Sequence, residues 1–456
     1  MLTGCTILPA EVRDLGPAGS NGRASTLAVW SWVLYDFSNT TFSISILSYF
    51  FPLWLREELD AGPDLFNYIS AASAFLIALT APFLGALADL RQRRRSYLIF
   101  LTVIAVAATG ALDLADNILA GVVLFVAADV AYQSAIVFYN ALLPGVSVGR
   151  GTGKISGYGT GAGNVGAIVA LLLLTLFVTD PETMRSLLGP LGGWIETGGE
   201  HNSNAFLPTA VLYLVFSLPT FFFVPDRRVR APQPFRIGAT YRDVVSTIRK
   251  IRGYAGLGAF ILATLLYMDA ANTTVTNMSF YGREVFEMDQ TGIRNLLLFS
   301  TDFAAVGSVG FGYASDRAGP KRTLHAVLFL WLVSIVLVAG APTSGMLLVA
   351  GPLVGIALGA TWTVSRIMLV ALSPPEKLGE FFGLYSIAGR LSAITGPALI
   401  AVLLTLFEGL GPALSYRIAV GSLTFIMLLG ILFLLRVPDV RSDRTVQEYA
   451  PEALVR

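Results

Sequence analysis

Twelve stretches of mostly apolar residues follow one another through this chain, at roughly 26–55, 66–88, 96–115, 118–140, 155–178, 206–224, 254–281, 291–314, 322–341, 344–372, 380–406 and 414–436. A helix rises about 1.5 Å per residue, so about 20 apolar residues match the ~30 Å hydrocarbon core of a bilayer. No water is available at that depth, and each segment must satisfy its own backbone N–H and C=O groups, which selects helices. Only 13% of the 456 residues are charged, against roughly 25% in soluble domains. The expected fold is an all-α membrane protein with twelve transmembrane helices.

Loop charges orient the chain. With both termini placed in the cytoplasm, the cytoplasmic segments hold 24 of the 31 Lys and Arg residues, and the opposite side holds only Arg56, Arg185, Arg283 and Arg417. That asymmetry is the positive-inside pattern. Residues 1–22 read as a disordered cytoplasmic tail, 23–224 and 254–436 as two six-helix bundles, and 437–456 as a cytoplasmic C-terminal tail. The basic linker 225–253 places Ile237, Tyr241, Val244, Val245, Ile248 and Ile251 at helical spacing among arginines. That pattern suits a helix lying on the inner membrane surface, and equally a solvated linker helix. Arg outnumbers Lys 27 to 4, which inclines the location to a bacterial inner membrane.

Several chemistries lack the residues they need. Net charge is +1, so no bulk basicity points to nucleic acid. The single cysteine, Cys5, excludes an intrachain disulfide framework. Gly161-Ala-Gly163-Asn-Val-Gly166 satisfies G-x-G-x-x-G, but no strand precedes it; the glycines instead permit close helix approach. No Ser/His/Asp set and no Cys/His metal cluster is present, so no enzyme, cofactor or metal site is expected. His201, in the loop 179–205, and His325, at a helix start, are isolated.

The two halves echo each other. Asp36-Phe-Ser-Asn39-Thr40-Thr41 returns 233 residues later as Asp269-Ala-Ala-Asn272-Thr273-Thr274. On a helix the first copy aligns Asp36, Asn39, Thr40 and Ser43, and the second Asp269, Asn272, Thr273 and Thr276, one polar stripe on each. Gly85-Ala-Leu-Ala-Asp89, followed by arginines, returns as Gly312-Tyr-Ala-Ser-Asp316 at an offset of 227, and Ala162-Gly163-Asn164 as Ala388-Gly389-Arg390 at 226. Three echoes in one order indicate a duplicated six-helix unit, with a site near the midplane between the copies.

On these residues the chain resembles a major facilitator superfamily transporter, whose loop signature is Gly-x-x-x-Asp followed by basic residues between helices two and three and between eight and nine. Tyr35-Asp36-Phe37-Ser38-Asn39, Phe138-Tyr139-Asn140-Ala141-Leu142-Leu143-Pro144, Ser156-Gly157 and Glu380-Phe381-Phe382-Gly383-Leu384-Tyr385 resemble the vacuole-effluxer-like branch. That resemblance implies two pseudo-symmetric six-helix bundles, alternating access and, from its best-known members, amino-acid release from the fungal vacuole.

Six charged side chains fall well inside helices: Asp36, Asp129, Asp269, Asp302, Arg366 and Arg390. Each costs about 2.5–3.5 kcal/mol at a helix centre, so each is expected to pair, line water or bind something. Arg366 and Arg390 offer planar forks for a carboxylate or a phosphate, and Asp36 and Asp269 can receive an ammonium group, so the set suits both ends of an amino acid. An alternative stays open, in which Asp36 or Asp269 pairs with Arg366 or Arg390 across the halves and gates. Asn39, Asn272, Asn164, Tyr132 and Trp362 join the substrate-binding candidates, with Gln133 and Asn140 as further cavity residues. Carboxylates in a closed cavity take up protons more readily; Asp302 is the first candidate proton carrier and Asp129 the second. Asp89, Arg93, Asp316 and Arg317 are assigned to the cytoplasmic gate.

The expected function is secondary active transport of a small polar metabolite, with a lipid bilayer and protons as its other partners and a monomer as its state. A flippase for lipid-linked substrates needs a polar cavity open sideways to lipid. A membrane sensor needs an added soluble domain, and no segment here is long enough for one.

Overall fold

The computed structural model describes residues 23–226 and 254–440 except 62, 92 and 255, together with the single positions 242, 246 and 251. The N-terminal tail, nearly all of the linker helix expected at 225–253 and the tail beyond residue 440 lie outside the described residues. Within them the chain is helical, with no strand.

Among the described residues, ten helices are long and apolar enough to cross a membrane. They belong to α3 (Pro63–Arg91), α4 (Arg94–Ala111), α5 (Ile118–Ser147), α6 (Thr152–Thr179) and α8 (Phe206–Phe223) of the first half, and to α10 (Gln290–Ala318), α11 (Pro320–Gly340), α12 (Ser344–Leu372), α13 (Leu378–Leu406) and α14 (Pro412–Leu435) of the second. The other two expected segments are the ones that carry the repeated motif. In the first, α1 (Thr26–Phe42) gives way to a π-helical stretch, Ser43–Phe50, and then to α2 (Phe51–Glu57). In the second, α9 (Leu257–Phe286) is long but carries Asp269, Asn272, Thr273, Thr274, Thr276 and Asn277 in its middle. Polar content and an interrupted ladder set these two helices apart, and π-helical turns recur at functional sites.

Short α7 (Pro181–Leu188) and the loop after it lie across the non-basic end. Asn202 holds this loop to the end of α2, its side-chain amide donating to Glu57 Oε2 at 3.0 Å and its backbone N–H to Glu58. Burial pushes the Glu58 carboxyl above the usual carboxylate range, while hydrogen bonds from Ser203 and Asn202 and the nearby His201 pull the other way.

The halves meet along two seams: α3 packs on α13, and α6 on α10. Glycines make both possible. A Cβ at Gly85 would stand 2.1 Å from Gly379 O, and one at Gly383 would stand 2.7 Å from Ala81 O. In the other seam a Cβ at Gly153 would stand 2.2 Å from Gly312 O, and one at Gly157 would stand 2.6 Å from Ser308 O. Gly85 and Gly312, Gly153 and Gly379, and Gly157 and Gly383 are related by the 226–227-residue offset of the sequence echoes. The duplicated sequence therefore builds the same backbone-to-backbone contact twice.

Candidate functional site

Each seam ends in an aspartate that caps a helix of the other half. Asp89, at the end of α3, accepts from the N–H groups of Gly379 (3.0 Å) and Glu380 (2.8 Å) in the first turn of α13. Asp316, at the end of α10, accepts from those of Gly153 (2.6 Å) and Lys154 (2.9 Å) in the first turn of α6. First-turn N–H groups have no partner within their own helix, and they sit at the positive end of its dipole. Arg94 reinforces the first clamp, with Nη2 2.7 Å from Asp89 Oδ1 and Nη1 donating to Ala141 O at 3.0 Å. Of the four residues assigned to the gate, Asp89 and Asp316 join the halves, whereas Arg93 and Arg317 are exposed. Arg94, one position further on, is the arginine on Asp89. In a run of three arginines the sequence gives no sign of which one turns inward.

Nearer the middle, two ion pairs cross between the halves. Asp36 of α1 meets Arg366 of α12 at 3.2 Å, with side chains 8% and 11% exposed. The Arg366 guanidinium lies 5.4 Å from the ring centroids of both Trp32 and Tyr139, which stack on each other at 4.4 Å. Trp32 Nε1 in turn donates to Tyr139 O at 3.1 Å, so α1 and α5 together form an aromatic wall for the arginine. Asp129 of α5 faces Arg390 of α13 at 3.6 Å, with 5% and 28% exposure, and Gln133 Nε2 donates to the same Asp129 Oδ1 at 3.3 Å. Each pair sets a carboxylate of the first half against a guanidinium of the second.

The remaining candidates divide. Asn39 and Tyr132 are buried; Tyr132 packs on Phe42 at 4.6 Å, and Asn140 is buried on the same helix as Asp129. Asn164 reaches across to Ser308 Oγ at 3.5 Å, and Asn272 is half-buried. Asp269 departs from the expectation of a place opposite an arginine. It is buried and accepts from Gly396 N–H at 2.7 Å and from the Thr395 side chain, both in its own half. The reason is local: Gly396 precedes Pro397, and its missing Cβ, which would lie 1.9 Å from Thr273 Oγ1, lets α9 press against α13. Asp302 and Trp362 are exposed, unlike the buried members of this group. Asp302 is exposed on one α10 stripe with Phe299 and Val306, and Trp362 is 42% exposed on α12. Asp302 therefore lacks the enclosed setting for which it was selected. Sequence reasoning missed Trp32 and Tyr139 as partners of Arg366. The signal for Trp32 was its place four residues before Asp36, on the same helix face.

Helices that meet along glycine seams and enclose opposed charges are the arrangement expected of a membrane transporter, and the relatives of this chain are transporters of the major facilitator superfamily. The chain belongs to the family described as vacuole effluxer Atg22-like, whose sequence profile matches residues 64–150 and 146–447. It is 26% identical over 433 residues to the MFS-type transporter YxiO of Bacillus subtilis (strain 168), covering 92% of this chain and 96% of that one. It is 25% identical to the multidrug resistance protein MdtG of Dickeya zeae (strain Ech586), covering 81% and 85%. Among solved structures, the human organic anion transporter MFSD10 superposes with a TM-score of 0.67 at 14% identity, covering 89% of this chain and 98% of that one. FucP in its outward conformation superposes with a TM-score of 0.66 at 12% identity, again covering 89% and 98%. At those identities the two structures speak for the fold.

Proposed function

We propose that this protein carries a small polar metabolite of the amino-acid type across a bacterial inner membrane by alternating access, coupled to protons. Twelve spanning helices form two six-helix bundles in this reading, with both termini in the cytoplasm. The observation that carries it is the pair of ion pairs between the halves, Asp36–Arg366 and Asp129–Arg390. Charges cost free energy at membrane depth, and placing each partner on a different half ties the halves' separation to whatever can replace a partner. In this reading the clamps at Asp89 and Asp316 lie at the basic end, taken as cytoplasmic from the loop charges, and their closure corresponds to a state shut toward the cytoplasm. Substrate then enters the central cluster from the opposite side and exchanges contacts with Asp36, Asn39, Arg366 and Arg390 as the halves rock. The proton is assigned to Asp129, buried beside Arg390, in preference to exposed Asp302.

Reconstitution in liposomes with labelled amino acids, with and without a pH gradient, tests this. Gradient-driven accumulation of at least one amino acid is expected, with Asp129→Asn abolishing the drive while leaving exchange intact. Neither accumulation nor exchange of any member of the panel would overturn it.

A further inference from the structure

The two arginines are not equivalent, and the difference indicates what the central site recognises. Arg366 is occupied: its Nη1 donates to Asp36 Oδ2 at 3.2 Å, two aromatic rings lie 5.4 Å from its guanidinium, and only 11% of its side chain is exposed. Arg390 is not. Its Nη2 stands 3.6 Å from Asp129 Oδ1, beyond hydrogen-bonding distance, and that nitrogen is buried with no acceptor among the described residues. The Asp129 oxygen it faces already accepts from Gln133. At 28% exposure, Arg390 is the open cation of the junction. A buried donor without an acceptor is a standing demand for one; a planar fork is matched by the two oxygens of a carboxylate, whereas a phosphate, which fits the fork equally, would bring further negative charge beside Asp129.

The acidic partners are asymmetric in the same sense. Asp36 is held by Arg366, and Asp269 by Gly396 N–H and the Thr395 side chain within its own half. Asp129 faces Arg390 and accepts from Gln133, so each of the three carboxylates already has a cation or donor against it and none stands ready to receive an ammonium group. Resting on the transport reading above, we infer that Arg390 is the substrate's anchor, that it takes a carboxylate, and that the amine of an amino acid is not required. The substrate class is small carboxylates, with amino acids as one kind among them. Arg366, held by Asp36 in this state, serves as a latch between the halves and meets substrate only after Arg390 has bound it, as the halves rock.

Labelling of the full-length protein with butanedione, a neutral reagent for accessible arginines, tests this by mass spectrometry of Arg390 and Arg366. Arg390 is expected to react several-fold faster, and millimolar propionate, lactate or alanine to slow that reaction, whereas alaninamide, which keeps the amine and lacks the carboxylate, does not. The three carboxylates are also expected to raise the melting temperature of the wild type and not that of Arg390→Gln. Equal labelling of the two arginines, protection by alaninamide equal to that by alanine, or no protection by any carboxylate overturns the inference. The liposome assay separates the two readings. Transport that survives Arg390→Gln removes the anchor and leaves the transporter. Carboxylate protection of Arg390 in a protein that transports nothing removes the transporter and leaves the site.

Discussion

Asp36 and Arg366 are stable where they are only because each neutralises the other. Removing one member of a buried pair leaves an uncompensated charge and costs about 3–5 kcal/mol, whereas removing both is often close to neutral. Arg366→Gln is therefore expected to destabilise the protein by about that amount, and Asp36→Asn with Arg366→Gln to recover most of it, as read by unfolding in detergent. Equal losses in the single and double variants would mean that Arg366 acts through its aromatic contacts. Glu58 gives the pH dependence. Its folded-state value is raised by burial, so its contribution to stability is complete below the unfolded value and is lost as pH rises through the folded one. Glu58→Gln keeps an oxygen for the Asn202 and Ser203 N–H groups. Melting temperatures should match the wild type at acid pH and exceed it at neutral pH; a constant difference across the range would assign the effect to something other than titration. At this scale the sequence disclosed which residues are charged and membrane-embedded. It did not disclose partners, because Arg366 and Arg390 could each pair with Asp36 or Asp269 on paper, and the choice is made by backbone features such as the close approach at Gly396, whose N–H takes Asp269.

The helices themselves were legible, since periodic apolar runs of membrane length admit little else. Two element-level features were not. The π-helical turn Ser43–Phe50 has no marker that an apolar run displays, and the seams depend on glycines that face another backbone, which one-helix patterning cannot pick out from the 45 glycines present. Gly153 offers a direct test. A Cβ there would meet Gly312 O at 2.2 Å and Asp316 Oδ1 at 2.6 Å, so Gly153→Ala must push α6 and α10 apart. Alkylation of a cysteine placed at buried Ser315, in a Cys5→Ser background, is expected to quicken roughly tenfold, the equivalent of about 1.4 kcal/mol taken from the closed form. Gly145→Ala, where a Cβ meets nothing within 4 Å, is the control. An unchanged rate in Gly153→Ala would mean that the seam does not hold the closure.

For the whole molecule, the duplication matters because it gives the closed end two locks related by the same offset. Asp89 reaches from the first half onto α13, and Asp316 from the second half onto α6. Each half thus supplies one carboxylate and one helix N-terminus, and rigid halves separate at this end only when both contacts give way. The order of the echoes in sequence was enough to anticipate two related halves. It was not enough to show that the paired aspartates bind the backbone of the opposite half, because a helix N-terminus has no signature of its own charge. The arrangement predicts that the locks act jointly. Asp316→Asn, and Asp89→Asn made together with Arg94→Gln so that no buried charge is left uncompensated, each retain an oxygen acceptor and leave the opposite lock intact, so each should shift the closed population little. Together they should open this end. Spin labels at Arg93 and Arg317, exposed residues of opposite halves, report the opening as a longer distance by pulsed electron spin resonance. The variant changed at both locks is expected to lengthen that distance far more than the two separate changes combined. A change at one lock that opens the end completely would show that one seam carries the closure and that the second is only an echo of the duplication.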